Sequence, residues 1–66
     1  MDVRKALDHL NLTQVGAAEL LGHNPRTARR WVVGGPPPGV AIILQLMLDG
    51  KITAADVEAA RERARA

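Results

Sequence analysis

The segment Thr13–Val33, TQVGAAELLGHNPRTARRWVV, constrains this chain more than any other. It holds two helix-forming stretches with a stop and a restart almost back to back. Gly22 suits the left-handed residue that ends a helix. Asn24 suits the N-cap of the next helix, and Pro25 suits its first position, where a missing N–H costs nothing. Thr13 caps the first of the two helices through its hydroxyl. The chain must therefore reverse within a few residues, giving a bihelical corner. Ala17, Ala18 and Leu21 form the inner face of the first helix, with Leu20 flanking, and the small Gly16, Ala17 and Ala18 permit a close helix crossing. On the second helix Ala28 and Trp31 are three apart and face inward, which leaves Arg26, Thr27, Arg29 and Arg30 outside. Trp31 is the sole aromatic residue, so it should be the largest packing unit of the core.

The remaining sequence adds helices and no strands. Tyr and Phe are absent, no run alternates apolar with polar, and Ala and Leu favour helix. A first helix is expected over Val3–Leu10, capped by Asp2 and stopped at Asn11, with Val3, Ala6, Leu7 and Leu10 on one stripe. A proline-stiffened loop, Gly34–Gly39, leads to a fourth helix at Pro38–Leu48 that is apolar nearly all the way round. In a chain of 66 residues one helix cannot be buried on every side. Asp49–Gly50 ends it. Thr53 and Asp56 form a capping-box pattern at the head of a fifth helix, Ala54–Ala64, with Val57, Ala60 and Ala64 on one stripe. Glu58–Arg61 and Glu62–Arg65 are favourable neighbours on its surface. The fold class is all-α, in one domain over residues 1–66, with the corner at about 13–33 and a pairing region at about 38–65.

Charge narrows the function. The formal net charge is only +2, yet no Asp or Glu lies between Leu20 and Leu48. Arg26, Arg29 and Arg30 make that middle stretch purely cationic, and a local cationic patch matters more than net charge for binding a polyanion. A bihelical corner with a basic second helix is a device for placing side chains in the DNA major groove. Other classes find little support. Cys and Ser are both absent, and His9 and His23 have no ligand-like spacing with other residues, so neither a metal site nor a nucleophile–base pair is expected. His9 reads as a surface residue and His23 as a turn residue. No enzyme activity, cofactor or small-molecule ligand is anticipated. The longest apolar stretch, Val40–Leu48, is too short for a membrane span. No secretory signal is visible, so a cytoplasmic location is expected.

Leu12–Trp31, LTQVGAAELLGHNPRTARRW, resembles the helix–turn–helix of the Cro and cI-type repressors, the XRE family. The marks are Gln14 at the start of the first corner helix, Ala18 at the crossing, Leu21–Gly22 at the turn, Asn24 at the cap, the Ala28–Trp31 pair and Gly34 at the end. The resemblance implies a compact, five-helix, lambda-repressor-like domain with a central helix–turn–helix. It implies that Arg26 and Arg30 read bases and that Thr27 touches base edges or backbone. Phosphate contacts would come from Gln14, Asn24 and Arg29, with Thr13 beside them.

The spacing of Arg26 and Arg30 agrees with that role. Residues four apart share a helix face, and each guanidinium matches guanine O6 and N7. The alternative is an ordinary solvated helix face. The apolar surplus of the fourth helix points to a subunit interface, for which Ile42, Ile43, Leu46, Met47 and Val57 are the candidates. The expected function is a dimeric repressor or autoregulator that occludes a promoter at an inverted-repeat operator. Minimal regulators of phages, mobile elements, toxin–antitoxin operons and anti-CRISPR-associated operons are of this kind. A helical protein-interaction module, such as an antitoxin or adaptor without specific DNA binding, is the alternative.

Overall fold

Each helix begins and ends where short-range chemistry dictates. A computed structural model describes residues 1–65; Ala66, the last residue of the expected domain, lies outside them. The described residues form five helices and no strand: α1 (Val3–His9), α2 (Gln14–Leu20), α3 (Pro25–Gly34), α4 (Pro38–Leu48) and α5 (Ala54–Arg65). The Asp2 carboxylate accepts from the Lys5 amide at 3.1 Å, and Thr13 Oγ1 accepts from the Gly16 amide at 2.9 Å. Asn24 Oδ1 accepts from the Arg26 amide at 2.9 Å. At the head of α5 the pairing is reciprocal: the Thr53 amide donates to Asp56 Oδ2 at 2.8 Å, and the Asp56 amide donates to Thr53 Oγ1 at 3.1 Å. Asp thus completes a capping box in which Glu or Gln is usual.

Three helices end in the same doubly bonded turn. After α2 the His23 amide donates to the Ala18 carbonyl at 2.8 Å and the Gly22 amide to the Glu19 carbonyl at 3.1 Å. This is a Schellman motif, and it requires a left-handed residue, here Gly22 at φ +76°. The same pair of bonds closes α1 around Asn11, at φ +58°, and α4 around Gly50. Leu10, expected inside α1, is its C-cap.

The core lies where α1, α2, α3 and α4 converge. Val3, Leu7, Ala17, Ala18, Ala28, Trp31, Val40 and Leu44 form one buried cluster, flanked by Leu10, Leu12, Leu21 and Val32. Ala17, Ala18 and Ala28 have no exposed surface, and α2 makes its most extensive contact with α3. Side chains this small let the two helices approach closely. Gly16 takes no part in that approach: a Cβ there would lie 2.9 Å from Thr13 Oγ1 and within 4 Å of no other helix. Trp31 is 2% exposed. Burying an indole removes 150–250 Å² from water, worth roughly 4–6 kcal/mol as an upper bound. That one side chain fixes the axial rotation of α3. The chain has a radius of gyration of 11.0 Å, as a folded 66-residue domain should.

Two expected interface residues are instead core. Met47 is 7% exposed and Val57 is 9% exposed. Met47 is three residues from Leu44 and seven from Val40, so it continues their inward stripe. Val57 lies one turn into α5, facing a groove that it shares with Leu20, Leu21 and Ile43. Ile42 and Leu46 are exposed, as expected, and Ile43 is half-buried. On α5 the Glu62–Arg65 pair forms at 3.8 Å. Arg61 does not pair with Glu58 but reaches back to α2, where its guanidinium donates to the Glu19 carbonyl. A cation at the negative end of α2 adds a second donor to a carbonyl that the Gly22 amide already uses, and it complements the helix dipole. Ala60 and Ala64 remain exposed along the groove.

Candidate nucleic-acid interface

The two faces of α3 have opposite character. Ala28 and Trp31 point into the core, and Arg26, Arg29 and Arg30 are all exposed. At 100° per residue the three arginines fall within a sector of about 100°, so their guanidiniums form one ridge. Among the described residues none of them is held in a salt bridge; the Glu62–Arg65 pair on α5 is the one that forms. No acidic residue lies between Glu19 and Asp49 to compete for them. The result is a run of positive charge on a rigid rod, free to take up an external anion.

The turn orients this ridge. Asn24 uses its side-chain oxygen on the Arg26 amide, and the Thr27 amide donates to the Asn24 carbonyl at 2.8 Å. The Asn24 side-chain NH₂ remains available to an acceptor. Thr13 likewise spends an oxygen lone pair on its cap and keeps its O–H as a donor. Gln14, half-buried at the first turn of α2, lines a shallow concavity with Val15, Pro25, Arg26 and Arg29. The fold therefore gathers one expected phosphate ligand from α2 and two cations from α3 around a single depression. A second concavity is lined by Arg26, Arg29, Arg30, Val33 and Gly34. Thr27 sits less favourably than expected: it is half-buried at the flank of α3 rather than outside with the arginines.

His23 precedes the cap and is exposed, with its ring edge-on to Trp31 at 5.2 Å between centroids and 85° between planes. It covers the rim of the indole and helps to hold the start of α3 over the core. Two residues on this face carry no role in the sequence reading. Val33 is 87% exposed and Val15 is 50% exposed. The signal for Val33 was present in the spacing, since it lies seven residues after Arg26 and three after Arg30, on the same helical face.

Away from the arginines, α2, α4 and α5 leave an open apolar groove that none of Arg26, Arg29 and Arg30 lines. Leu20, Leu21, Ile43, Ile52 and Ala60 line it, with Asp56, Arg61 and Arg63 as charged members. Among the described residues no three His, Cys, Asp or Glu side chains converge as a metal site would require. Nor is any single helix among them long and apolar enough to cross a membrane. Neither a protein-family model, nor a curated protein, nor a solved structure matches this chain.

Proposed function

We propose that this protein binds double-stranded DNA in a sequence-specific manner through a lambda-repressor-like helix–turn–helix, and that it acts as a dimeric repressor. One observation carries the reading: three guanidiniums that form no salt bridge among the described residues project from one face of a helix whose opposite face is locked into the core by Ala28 and Trp31. Amphipathic surface helices in general are anchored in this way; α3 differs in that its outward face is cationic, with no acidic residue between Glu19 and Asp49, and the anchoring holds those side chains at the fixed angles that base readout needs.

In this account α3 lies in the major groove. Arg26 and Arg30 are separated by about 6 Å along the helix, close to two base-pair steps, and each offers paired donors to guanine O6 and N7. Thr27 touches a base edge or sugar from the flank. Arg29, Gln14, Asn24 and Thr13 meet phosphates and set the register. Ile42 and Leu46, with the neighbouring groove, supply an apolar surface for a second copy. A two-fold dimer would hold two α3 helices about 34 Å apart on an inverted repeat, and occupancy alone would exclude polymerase.

The test is selection from random duplex DNA at two salt concentrations. The expected result is a recovered inverted-repeat motif, with affinity falling steeply as salt rises. Recovery of no motif, with equal weak binding to every duplex, would refute specific recognition. Absence of duplex binding at physiological salt would favour an interaction module built on the groove.

A further inference from the structure

A single exposed valine is ordinary on a protein surface. Val33 is set apart by its neighbours. Taking Arg26 as the reference, Arg29 lies about 60° to one side of the helix, Arg30 about 40° to the other, and Val33 within about 20° of Arg26 itself. Val33 thus lies on the midline of the cationic ridge, 87% exposed, and shares one concavity with all three arginines. Any polyanion drawn to the ridge is brought against its two methyl groups. A phosphate has nothing to gain from that contact. Among the groups a DNA duplex presents in its major groove, the C5-methyl of thymine is the apolar one.

We propose that Val33 is a specificity-determining residue that reads a thymine methyl group. The inference rests on the duplex-binding role of α3. Val33 is seven residues beyond Arg26, about 10.5 Å along the helix, which corresponds to about three base-pair steps. The thymine therefore lies about three base pairs from the base met by Arg26 and about one from that met by Arg30. The contact replaces water on both partners and involves no hydrogen bond. It discriminates thymine from cytosine at that pair without any polar group on the protein.

The experiment uses the selected duplex and replaces each thymine in turn by deoxyuridine, which removes the methyl group and leaves base pairing intact. Binding is read by fluorescence anisotropy for the wild type, Val33→Ala and Val15→Ala. Val33 is exposed, so its truncation leaves the core untouched, and helical circular dichroism checks that it does. The wild type should lose three- to tenfold in affinity at one thymine per half-site. Val33→Ala should bind the thymine and uridine forms at that position equally, and Val15→Ala should retain the wild-type profile there. A Val33→Ala profile identical to wild type, or a wild type indifferent to every uridine, would overturn the assignment while leaving duplex recognition standing. A wild type with no preference among duplexes would overturn both.

Discussion

Gly34 and Gly50 offer a test in which one chemical change should have opposite signs. Both are exposed, and a Cβ built on either meets no atom within 4 Å. Sterics therefore contribute nothing, and only backbone conformation distinguishes them. Gly34 is the last residue of α3, with helical geometry, whereas Gly50 holds the left-handed turn after α4 at φ +74°. Alanine at position 34 narrows the unfolded ensemble and favours the helix, a gain of about 0.5 kcal/mol at a helix end. Alanine at position 50 must occupy the left-handed region, a net loss of about 1 kcal/mol. A 66-residue domain unfolds with an entropy of roughly 0.14 kcal/mol/K, so 1 kcal/mol corresponds to about 7 °C in Tm. Thermal unfolding followed by circular dichroism should thus show Gly34→Ala melting about 3–4 °C above the wild type and Gly50→Ala about 7 °C below it. Equal shifts of the same sign would refute the reasoning. They would mean that the turn after α4 does not need a left-handed residue.

Other consequences follow from the ends and faces of the helices. Arg61→Ala removes the second donor to the Glu19 carbonyl and should cost about 1 kcal/mol, with faster amide exchange at Leu21, Gly22 and His23; unchanged exchange there would show the contact to be idle. Thr53→Ala and Asp56→Ala should each cost about 1 kcal/mol, and the double variant should cost less than their sum, because each single change already breaks the reciprocal cap. Sedimentation should show a dimer at micromolar concentration that Ile42→Glu or Leu46→Glu converts to a folded monomer; a wild type that stays monomeric even on DNA would contradict the pairing.

Much of this architecture is legible in the sequence because it is written in local chemistry. Asn11, Gly22 and Gly50 mark three helix ends, Asn24–Pro25 marks the start of α3, and Thr53 with Asp56 marks the start of α5. Each acts within four residues, so no tertiary knowledge is needed. The arginine ridge is legible for the same reason, since Ala28 and Trp31 set the phase of α3. The phase of α4 is not legible. Its positions are apolar almost throughout, so periodicity does not say that Met47 faces in while Leu46 faces out. Val57 depends on how α5 meets α2, a contact set by Arg61 reaching across 42 residues to the Glu19 carbonyl. Gly16 adjoins the small residues of the crossing in sequence, and only coordinates show that a Cβ there would meet no other helix.

The exposed guanidiniums either read bases or merely carry charge, and one comparison separates the two. The direct measurement is the affinity of wild type, Arg26→Ala and Arg30→Ala for the selected duplex and for a scrambled duplex of the same composition, at one fixed salt concentration. The account predicts that each variant loses about 1–3 kcal/mol on the selected duplex and much less on the scrambled one, so that specificity relaxes at a single base position. Equal losses on both duplexes would contradict it, and would reduce α3 to a phosphate-binding helix.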